Sequence, residues 1–376
     1  MVLRYATLIK ERMDTITSRT KFNTIQSKKK INIGPKCLVT GGAGFLGRAL
    51  TRELLSRGYT VHVLDRRPGF EKHGRVKAFS DDIRDYNSVL YAIEGCRTVF
   101  HTAAVMNFLG ICDPKTRREV YGINVEGTLN IIRACLEAGV SRLVYTSTNT
   151  VCFSPGHLVN GDESRPYAKK TLDIYAKTKI EAERAVLAAD NHGALRTVAI
   201  RPAGLWGAGE GCYMVSKLVD ELMKGAFVAT VGDGTSLADN THLDNLVLAE
   251  LLAAEKLIET PDLVGGQAYF VTDEEQMNLI EWFRPLIEGL GYRIPSRSIP
   301  TRIMYWLAFL MECLHRLGGP KPFMTRLEVH NLTTSFTFRC DKARRELGYR
   351  PVIGQAVGMK QCVAYYRKII GRLEKN

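Results

Sequence analysis

Apolar positions follow two alternating rhythms through the first half of the chain. Short apolar runs at residues 37–39, 60–64, 76–79, 98–101, 142–145 and 196–201 predict six buried strands. Between them, apolar residues spaced by three and four predict helices over residues 45–57, 86–93 and 120–138 and one starting near Ile174. In the third of these, Val125, Leu129, Ile132 and Leu136 mark one face and Gly139 supplies the stop. Strands that alternate with helices predict a parallel sheet covered on both faces. After residue 201 the alternation breaks down. Helical patterns at 212–224, 246–258, 280–290 and 355–370 are separated by short strands such as 227–231 and 268–271, and residues 342–347, before Gly348, Tyr349 and Pro351, read as a closing helix and turn. The expected architecture is an α/β fold: a Rossmann doubly wound parallel sheet with a smaller C-terminal substrate lobe. Residues 1–34 are expected to form a flexible tail and 35–205 the sheet domain, completed by part of 225–265. Residues 206–376 are expected to form mainly the second lobe, threaded back into the sheet.

The turn after the first strand carries the first chemical signal. Gly41, Gly44 and Gly47 form a GxxGxxG pattern that joins the strand to the helix beginning at Phe45. Glycine suits a turn with backbone angles closed to other residues, and it lets a pyrophosphate approach the main chain at the positive end of a helix. The next strand closes on Asp65, at the distance where an acidic residue meets the adenosine ribose. Two like unit charges about 4 Å apart repel by roughly 4 kcal/mol at an effective dielectric near 20, so Asp65 favours NAD over NADP. Arg66 and Arg67 pull the other way and keep NADP as the lesser alternative. Asp82 and Ile83 sit at the end of the third strand, beside the expected adenine, with helix entry as the plainer role for the acid. At the fourth strand's exit, Thr102, Ala103 and Ala104 are small enough for a cofactor to lie against the backbone. His101, at the end of that strand, reads as a packing residue and not as a base.

Composition adds limits. The 376 residues are too many for one small core, and 45% hydrophobic with 24% charged residues is globular usage. Nine dispersed cysteines without a CxxC pair read as reduced intracellular thiols, and no metal site is expected. The formal charge of +13 is partly local: residues 1–30 carry eight basic residues against Glu11 and Asp14. Such a tail fits attraction to anionic membrane surfaces and a mitochondrial presequence about equally. Without interleaved aromatic and basic residues, the charge does not predict nucleic-acid binding.

The fifth strand stops at Thr146-Ser147-Thr148-Asn149, and the following helix carries Tyr175 and Lys179. Residues four apart share a helix face, so a phenol and an ammonium are expected to meet in the crevice at the strands' carboxyl ends. Together with a positive nicotinamide ring, the ammonium is expected to draw the phenol, normally near pKa 10, toward neutrality. Tyr175 then acts as general base on a substrate hydroxyl, Thr148 holds that oxygen, and Lys179 also grips the nicotinamide ribose. Asn124 is expected to bring a buried amide nearby.

The stretches Thr40–Gly47, His101–Ala104, Asn124–Thr128, Tyr145–Thr148 and Tyr175–Lys179 resemble an extended short-chain dehydrogenase/reductase. Arg201-Pro202-Ala203-Gly204-Leu205-Trp206-Gly207, His242-Leu243-Asp244-Asn245-Leu246, Tyr269-Phe270-Val271-Thr272-Asp273 and the run 282–292 resemble the 3β-hydroxysteroid dehydrogenase family, most closely its family 42E branch. The resemblance covers nearly all of residues 35–370. It implies Tyr175, Lys179 and Thr148 as catalytic residues. It implies cofactor contacts at Gly41, Gly44, Phe45, Leu46, Gly47, Asp65, Asp82, Ile83, Ala103, Lys179 and Pro202. It further implies NAD as cofactor, a 3β-hydroxysteroid or sterol as substrate, and a homodimer. Threonine at 148 donates the same hydrogen bond as the serine also expected there, but its methyl narrows the cleft. Rivals on the same machinery are sterol 4-carboxylate decarboxylation and nucleotide-sugar epimerisation. A non-catalytic dinucleotide sensor is disfavoured by the presence of all three catalytic residues.

One segment, residues 303–314, is apolar but too short to span a bilayer, which takes about 20 residues. It is expected either to cover the substrate pocket or to lie in a membrane interface, with Tyr305 and Trp306 at headgroup level. The expected location is cytoplasmic or peripheral on the endoplasmic reticulum, with mitochondria as the alternative.

Overall fold

In the first strand, β1 (Lys36–Thr40), Cys37 and Val39 join one buried cluster and Leu38 joins another, so the two sides of one strand feed two cores. This is period-2 geometry in a strand buried on both faces. The computed structural model describes residues 33–67, 73–106, 114–153 and 156–373, with the backbone alone at 372 and 373. The basic segment at residues 1–30 lies outside the described residues.

The strands β1, β2 (Thr60–Leu64), β3 (Val76–Phe79), β4 (Thr98–His101), β5 (Arg142–Thr146), β6 (Arg196–Pro202) and β7 (Gln267–Val271) form one parallel sheet. Their spatial order is β3-β2-β1-β4-β5-β6-β7. The order reverses between β1 and β4, and a crevice opens there at the strands' carboxyl ends. One face is covered by α1 (Phe45–Ser56), through Leu50 and Leu54, and by a long later helix. The other is covered by α2 (Tyr86–Ile93), by α4 (Gly127–Glu137) and by α5 (Ile174–Ala188).

The helix expected over 120–138 forms, begins earlier and carries a π turn. α3 (Pro114–Tyr121) passes through a widened π turn, Gly122–Glu126, before α4 begins. A Cβ on Gly127 would stand 2.5 Å from Ile83, so the second helix starts where glycine lets it close onto the end of β3.

Beyond β6, the chain forms α6 (Tyr213–Met223), α7 (Leu243–Glu259), α8 (Leu279–Gly289), α9 (Thr301–Arg316), α10 (Arg326–Thr333) and α11 (Gln355–Leu373). α7 is the long helix that returns to the sheet, packing Leu246 and Leu251 beside α1. Residues 268–271, read in sequence as a short strand beyond the regular alternation, belong to β7, paired to β6 from Gln267↔Val198 to Val271↔Pro202. Of the strand expected at 227–231, Thr230–Val231 forms, against Ser298–Ile299. A third core gathers Trp206, Trp282, Phe283, Leu286, Met359 and Cys362. Trp206 and Trp282 meet edge to face, with centroids 5.3 Å apart.

Asp273, just past β7, joins the two parts. Its carboxylate accepts from Trp206 Nε1 (2.6 Å), the His242 amide (2.8 Å) and Asn245 Nδ2 (2.6 Å). Asn245 Oδ1 in turn accepts the amides of Val352 and Ile353. These satisfied buried groups fix the second lobe to the sheet's end.

The tightest crossing lies in the glycine turn. A Cβ on Gly47 would sit 2.2 Å from the Gly41 carbonyl oxygen and 2.7 Å from Gly42 Cα, both backbone atoms that cannot swing aside. Gly47→Ala should therefore lower stability by about 1–3 kcal/mol, measured as an earlier thermal or urea transition. Gly74→Ala, with nothing within 4 Å of the added carbon, should leave the transition in place.

Candidate active site

Gly41 continues β1 into the turn with φ +68, and its amide donates to the Leu64 carbonyl at 2.8 Å. A Cβ there would meet Ala103 Cα at 2.8 Å, and one on Gly42 would meet Val63 Cγ1 at 2.0 Å. These glycines are required by the fold's own close packing. Gly44 is the N-cap of α1 and offers no side chain to the helix's first amides, whereas Asp85 caps α2 and Asp173 caps α5. The open amides at Phe45, Leu46 and Gly47 fit an anionic pyrophosphate. The side chain of Phe45 is engaged elsewhere: its ring covers Gly207 and Gly209, where added Cβ atoms would come within 3.5 and 3.1 Å of it. Only its backbone is left to face a cofactor.

Asp65 ends β2 with its carboxylate already employed. Oδ2 accepts the Ala43 amide at 3.0 Å, and Oδ1 accepts the Arg67 amide at 2.9 Å. Arg67 also pairs with Asp65 (3.4 Å), while Arg66 pairs with Glu119 (3.1 Å) and lies 3.8 Å from Asp82. Asp82 itself is bound by Arg84 at 2.6 Å. Ile83 is buried against Gly127, and its carbonyl accepts Asn130 Nδ2 at 3.1 Å. Ala103 lies beside Gly41, and Pro202 ends β6, so both line the sheet's carboxyl edge.

His101 is fully buried with both ring nitrogens bonded. Thr128 Oγ1 donates to the Asn124 carbonyl (2.7 Å), so it accepts from His101 Nε2–H (2.9 Å). Nδ1 is then the acceptor for the Thr40 hydroxyl (2.7 Å), whose oxygen takes the Ala103 amide (3.3 Å). Burial, helped by the nearby Lys179 ammonium, pushes the imidazole down to about 3. A neutral, fully bonded ring is a packing residue, in agreement with the sequence.

Asn124 sits in the π turn and clamps two segments. Its Oδ1 accepts the Val105 amide (2.8 Å), and its Nδ2 donates to the Val105 carbonyl (3.0 Å) and to Thr178 Oγ1 (3.0 Å). The loop after β4 is thereby tied to α5, the helix that carries Tyr175 and Lys179.

Asp173 caps α5, accepting the Ala176 amide at 2.6 Å. Two residues on, Tyr175 is half-buried, and Thr148, whose hydroxyl oxygen accepts the Thr150 amide at 3.2 Å, is near enough to act on its phenol. Burial pushes that phenol well above its usual range, the Asp173 charge adds to the push, and Thr148 opposes it. The expected draw from Lys179 is absent from the chain's own forces on Tyr175. The reason is direction: Lys179, only 1% exposed, points its ammonium at the Thr146 carbonyl (2.6 Å) and over the Tyr145 ring (4.1 Å). Burial pushes it down to about 7, against the upward pull of Glu183 and Glu250.

The sequence reading did not single out Asp173 or Glu250. Asp173 was visible as an N-cap residue just ahead of a helical pattern. Among the described residues no cluster of His, Cys, Asp and Glu could hold a metal ion.

Residues 38–301 match the model of the 3-beta hydroxysteroid dehydrogenase/isomerase family. The chain is 37% identical to a 3 beta-hydroxysteroid dehydrogenase/Delta 5-->4-isomerase of Mycobacterium tuberculosis, over 90% of this chain and 92% of that protein. It is 40% identical to short-chain dehydrogenase/reductase family 42E member 1 of Danio rerio, over 84% of each. It is 35% identical to a decarboxylating sterol-4-alpha-carboxylate 3-dehydrogenase of Mus musculus, over 90% of this chain and 93% of that protein. Among solved structures, MoeE5 in complex with UDP-glucuronic acid and NAD superposes with a TM-score of 0.69 at 25% identity, over 89% of this chain and 99% of that one.

The His101 assignment has a direct test. Its ring protons should keep the shifts of a neutral imidazole from about pH 8 to about pH 5 in NMR spectra, whereas an ordinary histidine titrates inside that window. A transition of the His101 signal there would contradict the bonded neutral ring.

Proposed function

The chain belongs to the 3-beta hydroxysteroid dehydrogenase/isomerase family, oxidoreductases acting on CH–OH donors, and on that premise we propose that it oxidises the 3β-hydroxyl of a steroid or sterol with NAD. The observation that carries the reading is that α5 brings both Tyr175 and Lys179 to the end of β5, where Thr146 meets Lys179 and Thr148 follows two residues on.

The open amides at the start of α1, the Gly41–Ala103 approach and Asp65 are the residues that would hold the dinucleotide. When bound, NAD supplies the acceptor for the substrate's hydride. Tyr175 takes the hydroxyl proton, and Thr148 orients the same oxygen. A phenol pushed upward by burial needs a cation before it ionises near neutral pH; the positive ring of bound NAD would supply one, and Lys179, one turn along α5, would add to it once its ammonium turns from the Thr146 carbonyl. Asp65 supports NAD over NADP, and Arg66 and Arg67 each already lie against carboxylates instead of presenting unpaired charge to a 2′-phosphate. The decarboxylating mouse relative keeps a second reading in play, in which oxidation of a 4-carboxysterol is followed by loss of its carboxylate. Both share the Tyr175 step.

We further propose peripheral membrane contact through α9. No helix among the described residues is long and apolar enough to cross a membrane. Yet α9 buries only Met304 and Ala308, while Ile303, Leu307, Leu310 and Leu314 face out with Trp306 at 65% exposure. An outward apolar stripe with a tryptophan, between Arg302 and Arg316, is the pattern of a helix lying in an anionic interface. The exposed stripe favours this over a buried lid.

Two experiments test these readings. Formation of NADH over a panel of 3β-hydroxysteroids and a 4-carboxysterol should exceed NADPH formation, and Tyr175→Phe should lower kcat by about 10²–10⁴. A Tyr175→Phe protein with wild-type turnover would refute the base. Separately, the protein should sediment in part with anionic liposomes at low salt and less so after Trp306→Glu with Leu310→Glu. Full recovery of wild type in the supernatant would remove the membrane contact.

A further inference from the structure

Glu250 stands on α7, across the sheet from α5, and none of it reaches water. One carboxylate oxygen accepts the Thr146 hydroxyl at 2.6 Å, and the other is buried without a hydrogen-bond partner. Leaving a buried carboxylate oxygen unpaired is unfavourable, so the site must offer the group something beyond hydrogen bonds. What it offers is a cation. Thr146, the last residue of β5, takes the Lys179 ammonium on its carbonyl (2.6 Å) while its hydroxyl donates to Glu250. A single residue touches both charges from the two sides of the sheet.

We propose that Glu250 is a positioning residue, the counter-charge of Lys179 acting through Thr146, and that it sets the pH range over which the lysine stays cationic. The inference rests on the reading of Lys179 as the cation for Tyr175. The other ionisable groups around the pair leave the role to Glu250. From α5, Glu183 favours the lysine's charge more than Glu250 does, but it already serves Arg201 of β6 at 2.6 Å and accepts the Tyr167 hydroxyl at 2.7 Å, which leaves Glu250 as the carboxylate with no other cation. From β4, His101 is neutral; from β5, Tyr145 lies under the ammonium with its hydroxyl unpartnered. Tyr175, on α5 itself, is held in its protonated form by burial. Burial pushes Glu250 up to about 7 and Lys179 down to about 7, so each gains from the other's charge near neutral pH. The sign follows directly: a negative Glu250 favours the ammonium, and its removal lets the lysine proton leave at lower pH.

The full-length protein labelled with 13C at lysine Cε reads this without turnover, with Lys179→Arg identifying the signal. Glu250→Gln should lower the Lys179 midpoint by about one pH unit, and Glu250→Asp should recover part of it. In the turnover assay the alkaline limb of kcat/KM should move to lower pH by a similar amount, with KM for NAD within about twofold. If Glu250→Gln does not fold, Thr146→Val, which keeps the carbonyl and removes the hydroxyl, is titrated instead and should shift the midpoint in the same direction. An unmoved midpoint, or an equal loss at every pH in both Glu250 variants, overturns the proposal and marks a structural role only. Wild-type protein that turns over no 3β-alcohol while the lysine shift persists would overturn the reaction and leave the charge coupling standing.

Discussion

A lysine ammonium is held here almost out of reach of water, and the crevice is arranged around keeping it there. Burying an isolated cation costs several kcal/mol, and only close compensation makes it tolerable. The compensation has three parts: a carbonyl at the end of β5, the face of Tyr145, and carboxylates on two helices. An aromatic face contributes about 0.5–2 kcal/mol when desolvated. None of these would meet the ammonium if α5 were rotated or β5 ended a residue earlier. The Asn124 clamp and the Asp173 cap therefore matter to the site even though neither touches it. They set the angle and the starting point of α5.

The second constraint is the crossing of β1, the glycine turn and the loop after β4. At Gly41, Gly42 and Gly47, main chain comes so close to its neighbours that a single added carbon would collide. This closeness also leaves the first amides of α1 without a side-chain cap at the point where the sheet order reverses, so packing and the proposed dinucleotide site would use the same glycines. Asp65 belongs to both functions. By accepting the Ala43 amide, it braces the turn with a carboxylate, and it holds Arg67 across the turn's entrance.

The strands were legible because a parallel sheet buried on both faces writes continuous apolar runs, which is how β1, β2, β4 and β5 appear. β7 was visible as a strand but not as part of this sheet, since pairing after a long excursion through a second lobe leaves no local trace. The π turn was equally hidden: the spacing of Val125, Leu129, Ile132 and Leu136 leaves no mark of it, and the close packing of Gly127, just past it, is on Ile83, far off in sequence. Tyr175 and Lys179 could be read from their spacing on one helix. The direction of Lys179 could not, because spacing gives a face and packing decides where a long side chain ends. Glu250 left a fainter mark. It lies on the stripe of Leu243, Val247, Leu251 and Ala254, all buried, where an acid on an apolar face signals a hidden partner.

The two lobes are joined at the turn itself. The Phe45 ring covers Gly207 and Gly209, and Arg48 bonds both the Ala43 carbonyl and the Glu210 carbonyl at 2.9 Å. The loop entering the second lobe is thus fastened to the same residues that open α1. On the far side, Asp273 fastens Trp206 and α7 to the end of β7. With anchors at both ends, the walls of the crevice cannot shift independently. A change in the glycine turn is transmitted to the start of the second lobe through Phe45 and Arg48. A change in α7 reaches Lys179 through Glu250 and Thr146. The groups that would bind a dinucleotide and those that would handle the substrate's proton are therefore held at the sheet's carboxyl edge by one connected set of contacts.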